Sequence, residues 1–406
     1  MKKKTKDVLI LCQFFYPEYI SSATLPFDTA KYLCEKGYKV GALCGYPKEY
    51  WNGTQVPKKE TVDGIEINRI SYAQPDRKSV IGRVVNYFSF VFSLLFHMNV
   101  AKTYKTIMFY SNPPLLPFIA LLCKTLYGCK IVYVSYDVYP ELAIKANMLK
   151  KGGMGARFFD ALNKKVVKKT DKIVALSTDM EQFFVEKRGA SKEKVCTIPN
   201  WYEDCAKKTF EKTAIVNDIP KDAFLISYLG NLGTCQDADI LVETTKLLEN
   251  EKVYLLVAGH GNKLEALKNK VDSEKLKNIK VLPFLHGSDY DTVLQRSDMF
   301  FTTLIPGLKG LCAPSKTYAY LMSGKPVIVS MDEEMEIAKD VVDYQAGILV
   351  KNGDYEYAAK EIVRVKSSEN VSELMGKNAR KLYEEKYEKS ICLEKYEQLI
   401  QEMIGK

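Results

Sequence analysis

The sequence predicts two α/β domains, each built on a parallel sheet, and three observations lead there. The chain has 406 residues, 47% of them hydrophobic, which is too much for one ordinary core. Short apolar runs alternate with amphipathic stretches along its whole length, the pattern of repeated β-α-β units. A charged stretch with no period, residues 199–223, divides that alternation into halves of similar size, and the domain boundary is placed there.

In the first half, residues 8–12 form a strand, 24–36 a helix closed by Gly37, and 39–44 the next strand. A polar, aromatic loop, 45–60, follows. Loops of that length are usually functional or mobile. The Asp63-Gly64 turn precedes a strand at 65–70. A helix at 80–102, a strand at 106–110, a helix at 115–127 ended by Gly128, and a strand at 130–134 come next. The loop 135–141 then leaves a strand's carboxyl end, where parallel sheets hold ligands, so Asp137 and Glu141 are candidates. A basic helix at 155–169, a strand at 172–176, a helix at 178–187 and a strand at 195–198 complete this half.

The second half starts with a strand at 224–229 and the turn Gly230-Asn231-Leu232-Gly233. Glycines there let a backbone approach a ligand closely and leave N–H groups for a diphosphate. A helix at 238–248, a strand at 253–258, the Gly259-His260-Gly261 turn, a helix at 263–269, a strand at 279–282 and a helix at 288–296 follow. Residues 299–330 form one more unit: an apolar strand, a loop with Gly307, Gly310 and Pro314, a helix at 316–322, and a strand at 327–329. Ser315 and Lys316 open that helix. They read either as an anion site, because helix N–H groups lack partners there, or as an ordinary cap beside a solvated lysine. A strand at 347–350 and helices at 356–365, 372–385 and 390–404 end the chain.

Composition narrows the function. Ten scattered Cys without C-x-x-C fit a reducing compartment and argue against disulfides and structural zinc. Three His, at 97, 260 and 286, argue against a His-built metal site or a Ser-His-Asp triad. The basic start followed by an apolar run of about eight residues lacks a cleavage site, so it reads as a tag before a first strand. The apolar segment 84–96 is shorter than the roughly 17–25 residues that span a bilayer. It reads as a helix in the core or at an interface, with core preferred. Residues 1–200 hold 31 basic and 17 acidic residues, +14, whereas 201–406 hold 28 and 33, −5. The basic half calls for an anionic partner. Lys164, Lys165, Lys168 and Lys169 lie on a helix whose other face is apolar, a pattern shared by monotopic membrane contacts and by solvated outer helices. No nucleic-acid module appears.

The order and spacing of FFYPEYISSATLPFDTAKYLCEKGYKV, GYPKEYWNG, SNPPLLPFIA, VSYDVYPE, YLGNLGTCQDADILVE, LLVAGHGNKLEALK, APSKTYAYLMSGKPVI and AGILVKNGD resemble the family 4 glycosyltransferases of GT-B fold. Within that family the chain is most similar to those that build capsule, colanic-acid or O-antigen polysaccharide. The resemblance implies two Rossmann-like parallel-sheet domains facing across a cleft: residues 1–200 for the acceptor, 201–385 for the nucleotide sugar. A C-terminal helix, 386–406, crosses back to the first domain. It implies transfer, with retention, from a nucleoside-diphosphate sugar (UDP expected) to a lipid-linked saccharide, without metal or other cofactor. The expected location is cytoplasmic, peripheral on the inner face of the plasma membrane. Gly230, Asn231, Gly233, Gln236, Gly259, Gly261, Lys309, Ser315 and Lys316 are expected at the donor, with Lys316 also catalytic. Ser21, Ser22, Asp137 and Glu141 are expected at the acceptor sugar, Asp137 as base or as a hydrogen-bond partner. Lys164, Lys165, Lys168 and Lys169 are expected on an anionic membrane surface.

Two departures stand out. Many relatives carry a pair of Glu eight residues apart, the second binding ribose. Leu311 and Ala319 occupy those positions here. Many also have an Arg and a Lys after the glycine turn, where this chain has Asn231 and Gln236, leaving Lys309, Lys316 or Lys325 to supply the cation. The departures keep open a non-catalytic GT-B paralogue. A nucleotide-sugar epimerase would want more acidic and His residues, and a nicotinamide dehydrogenase lacks its fingerprint.

Overall fold

A computed structural model describes residues 4–48, 53, 55–75, 80–205 and 209–405. The tip of the expected loop 45–60 and part of the 199–223 linker fall outside the described residues. Two compact units emerge. One comprises Met1–Pro199 with Gly310–Cys312 and Cys392–Lys406, the other Asn200–Lys309 with Ala313–Ile391.

The first unit holds β1 (Lys6–Leu11), β2 (Val40–Gly45), β3 (Lys59–Val62), β4 (Ile65–Ile70), β5 (Tyr104–Tyr110), β6 (Lys130–Ser135), β7 (Lys172–Ala175) and β8 (Val195–Thr197). Their order is β3-β4-β2-β1-β5-β6-β7-β8. All pairs are parallel except the β3–β4 hairpin. A parallel sheet is covered on both faces, and β1, β2 and β6 are accordingly almost wholly buried. The connection from β1 to β2 runs one way along the sheet, and those from β4 onward run the other way. Right-handed crossovers therefore put the helix Ser21–Glu35 on one face. The helices Val80–His97, Leu116–Tyr127, Met154–Lys169 and Thr178–Glu186 lie on the opposite face. The last helix, Lys389–Ile404, joins this unit from Cys392 on. Its Glu402 pairs with Lys172 at 2.7 Å, and Lys130 donates to the Met403 carbonyl.

The second unit holds β9 (Phe224–Asn231), β10 (Val253–His260), β11 (Ile279–Pro283), β12 (Met299–Thr303), β13 (Val327–Ser330) and β14 (Gly347–Val350). They form one parallel sheet, β11-β10-β9-β12-β13-β14. Tyr228, Ile240, Leu241, Val257, Met299 and Ile328, all fully buried, anchor its core with Phe301 beside them.

Of the differences from the sequence reading, three stand out. Residues 59–62 form the edge strand β3, because Asp63-Gly64 closes a two-residue hairpin in which both residues have positive φ. Glu336–Asp343 is a helix, with Ile337, Ala338 and Val341 buried on one face. The segment expected to lie in the core is two-faced. In Val80–His97, Asn86, Phe90 and Leu94 are buried, but Ile81, Val84, Val85, Phe88, Phe92, Leu95 and Phe96 are exposed. A continuous apolar run conceals that split from a sequence reader.

Candidate functional site

In each sheet the connections reverse direction once, between β1 and β5 and between β9 and β12. Ligands of open parallel sheets bind beyond the carboxyl ends at such a point. In the second unit the turn after β9 and the helix Lys316–Met322, which follows β12, meet there. Tyr320 makes the junction: its hydroxyl accepts from the Leu229 N–H at 2.7 Å and donates to the Leu229 carbonyl at 3.1 Å. Its ring stacks on Phe300 at 4.3 Å. One helical turn earlier on the same face, Lys316 reaches the glycine turn. Its Nζ donates to Tyr228 Oη at 2.5 Å and to the Asn231 carbonyl at 3.1 Å, and lies 4.3 Å from the Tyr228 ring centroid. Tyr228 in turn donates to the same carbonyl at 2.6 Å. A cation 85 residues away in sequence is thus held at the turn. The sequence reading did not single out Tyr228 or Tyr320, which sit inside an apolar strand and an apolar helix.

The glycines differ in use. Gly230 has φ +123°, a conformation that L side chains rarely adopt, whereas a Cβ there would meet Lys316 Cε at an ordinary 3.6 Å, so the path of the turn rather than space for the cation calls for glycine. Gly259 and Gly261 serve the packing of the two turns: a Cβ at Gly259 would lie 1.8 Å from the Gly230 carbonyl oxygen, and one at Gly261 2.4 Å from that of Leu232. The Gly233 N–H, expected to await an anion, donates to Gln236 Oε1 at 2.8 Å. A ligand would have to displace that amide to use it. Ser315 is exposed and makes no side-chain cap. Its backbone is already helical, so its hydroxyl is not at the capping position. Lys309 pairs with Glu334 at 2.8 Å. The N–H groups of Gly307, Leu308 and Lys309 all donate to the Asp332 carboxylate at 2.9–3.2 Å. That loop's anion nest is filled by the protein's own carboxylate. Leu311 and Ala319 are 4% and 1% exposed and add no polar group.

The first unit's edge is acidic. Ser21, exposed, and Ser22, partly buried, lie in the first turn of the helix after β1. The buried Ser111, just past β5, accepts from the N–H groups of Tyr136 and Asp137 at 3.1 and 3.0 Å. This fixes the loop after β6. Asp137 also bridges Cys312 through the backbone, and the Val138 N–H donates to the Leu311 carbonyl at 2.9 Å. Asp179 accepts from the Gly310 N–H at 2.7 Å. Burial alone pushes the Asp137 carboxyl up to about 6, because nothing charged compensates its desolvation. Glu141, expected to face sugar, is held by Arg188 at 2.7 Å, and Arg188 also pairs with Asp160. The guanidinium is only 3% exposed. Ser111 and Asp179 escaped the sequence reading, since a lone Ser in a loop or a lone Asp at the start of a helix carries no signal of its own.

Lys164, Lys165, Lys168 and Lys169 are exposed on Met154–Lys169, with Lys164 paired to Asp160 at 2.9 Å. All ten cysteines are free. Among the described residues no His, Cys, Asp and Glu side chains gather into a group that could hold a metal ion.

Comparison with known proteins gives two matches that together span most of the chain. Residues 27–201 match a glycosyl transferase 4-like domain, and residues 209–382 match the glycosyl transferases group 1 domain. The probable glycosyltransferase WbjE of Pseudomonas aeruginosa is 26% identical over 301 residues, 73% of this chain and 74% of that one. The putative colanic acid biosynthesis glycosyl transferase WcaI of Escherichia coli K12 is 21% identical over 341 residues, 80% and 83% of the two chains. The fold is also that of Anabaena HepE, solved in complex with UDP and glucose. The TM-score is 0.72 at 15% identity, covering 98% of this chain and all of that one.

Proposed function

The chain belongs to the group 1 glycosyltransferases, and on that premise we propose that it moves a sugar from a nucleoside-diphosphate donor to a lipid-linked saccharide in cell-surface polysaccharide synthesis. The observation that carries this is Lys316 Nζ, held on the turn after β9 at the point where the second sheet reverses. The names of WbjE and WcaI support the polysaccharide class. The UDP bound to HepE supports a uridine donor.

Glycosyl transfer cleaves the bond between the anomeric carbon and a diphosphate oxygen. Positive charge gathers on the sugar and negative charge on the leaving group. Lys316 and the backbone donors of the turn oppose that negative charge in a preorganised site. When donor binds, Lys316 exchanges its contact with the Asn231 carbonyl for a diphosphate oxygen, and Gln236 releases the Gly233 N–H. On the acceptor side, Asp137 takes a hydrogen bond from a sugar hydroxyl as its carboxylate. Ser21 and Ser22 flank that edge of the first sheet. Glu141 stays in its ion pair. Transfer proceeds with retention, and the exposed lysines from Lys164 to Lys169 bring the enzyme peripherally to an anionic membrane at its cytoplasmic face.

A thermal-shift screen of nucleotide sugars, followed by turnover with the ligand found, tests this reading. A ligand at 100 times its Kd adds about 2.7 kcal/mol of stability. A UDP-sugar should raise the melting temperature and be consumed when a lipid-linked acceptor is added. Binding without turnover across several acceptors would instead favour a non-catalytic paralogue.

A further inference from the structure

We propose that the first unit seats itself in the membrane through the apolar outer face of the helix Val80–His97, joined by its neighbours in the same helical layer. The occupant is the interface of an anionic bilayer. The inference rests on the membrane contact proposed above and changes which residues make it.

Ile81, Val84, Val85, Phe88, Phe92, Leu95 and Phe96 recur at helical spacing, so they share one side of the helix. Ile81, Phe88, Phe92 and Phe96 are 77, 60, 62 and 69% exposed. The stripe contains no charged residue. The opposite side, with Asn86, Phe90 and Leu94, is buried within the unit. A helix so anchored has one face committed to protein, so although the helical run Ile81–Thr103 is long and apolar enough to cross a membrane by length and composition, it suits lying in the interface plane. Leu116–Tyr127 packs between it and Met154–Lys169. Those two helices add exposed Phe118 and Leu126, and Met154 and Phe158. Exposed apolar side chains on this scale mark an interaction site.

Charge and direction identify the occupant. The same layer carries the exposed Lys164, Lys165, Lys168 and Lys169, complementary to anionic headgroups. Each crossover helix runs back from the carboxyl end of one strand toward the amino end of the next. Ile81, Phe118, Met154 and Phe158 therefore lie toward the carboxyl edge, the end that holds Ser21, Ser111 and Asp137. The four lysines lie toward the other end, about 15–22 Å along their helix from Met154 at 1.5 Å per residue. The apolar surface, unlike the lysines, thus reaches the edge assigned to a lipid-linked acceptor through Ile81, Phe118, Met154 and Phe158, and runs back along Val80–His97 through Phe88, Phe92 and Phe96. The lysines steer and hold the body of the unit.

The test is flotation with vesicles of phosphatidylglycerol and phosphatidylcholine. The combined variant Phe88→Ser, Phe92→Ser, Phe96→Ser should bind at least about tenfold more weakly at any salt. Replacing Lys164, Lys165, Lys168 and Lys169 with Ala should weaken binding chiefly at low salt. Because all three phenylalanines are exposed, the aromatic variant should keep the wild-type melting temperature and the wild-type thermal shift with UDP-glucose. Loss of flotation with that shift intact concerns the membrane surface alone. A missing shift in wild type would instead count against the donor reading. Wild-type flotation of the aromatic variant would overturn the proposal. So would a wild-type dimer that ignores vesicles and that the variant converts to monomer, which would assign the face to a second copy of the chain.

Discussion

Both sheets place their candidate residues beyond the carboxyl ends where the connections reverse, but with opposite charge. The first unit offers Asp137, a desolvated carboxyl at about 6. The second offers Lys316, already bonded to a tyrosine hydroxyl and a carbonyl. The halves that carry them are charged the other way, +14 for residues 1–200 and −5 for residues 201–406. Bulk charge therefore reports the partner met at long range, and the site's charge is set by a few residues at the sheet edge. The two edges also differ in readiness. Asp137 carries its desolvation without a counter-charge, whereas the cation and N–H groups of the second edge are parked on protein acceptors that a diphosphate can replace.

The largest expected effect separates structure from site on the acidic edge. Arg188→Ala leaves Glu141 and Asp160 without the guanidinium that joins them, and should cost about 3 kcal/mol in denaturant melts. Glu141→Gln should lower stability by less and leave acceptor KM unchanged. A large KM change at normal stability would return Glu141 to the sugar site. Next is Asp137. A carboxyl raised to about 6 when folded binds its proton more tightly than in the unfolded chain. Its contribution to stability is full below about pH 4 and is lost as pH rises through 6. Asp137→Asn should therefore stabilise the protein by about 2–3 kcal/mol at pH 8 and hardly at all at pH 4, while turnover falls at least about tenfold. Equal stabilisation at both pH values would show that burial is not what shifts this group. The smallest effect is expected at Ser315. With no cap bond to lose, Ser315→Ala should change stability by no more than about 0.5 kcal/mol and leave donor affinity nearly unchanged, as titration calorimetry would show.

The alternation of strands and helices was legible along most of the chain, because burial on both faces turns parallel strands into apolar runs that stand out between helices. The strand β3 was missed although Asp63-Gly64 announced a hairpin, since its residues Lys59–Val62 are polar and on the edge. The glycine turns and Lys316 were legible as separate candidates. That Tyr320 ties the helix to Leu229 and so delivers Lys316 to the turn was not, because periodicity carries no information about partners 85 residues apart. Nor could local pattern foretell that Gly310–Cys312 belongs with the first unit, that Asp332 fills the loop's nest, or that Gln236 occupies the Gly233 N–H. The first two depend on hydrogen bonds between distant residues, and the third on a side chain folding back three residues, which no periodicity encodes. Length and hydropathy, from which the segment 84–96 is read, cannot show that Val84, Val85, Phe88, Phe92, Leu95 and Phe96 face outward.

The most direct test of the donor assignment is calorimetric titration of UDP-glucose, or of whichever nucleotide sugar the screen selects, into wild type and Lys316→Ala. Removing a charged hydrogen bond to a diphosphate should weaken binding by about 2–3 kcal/mol, roughly 30–150-fold, with turnover falling as well. Unchanged affinity in a variant that melts like wild type would contradict the placement of the diphosphate at the turn after β9.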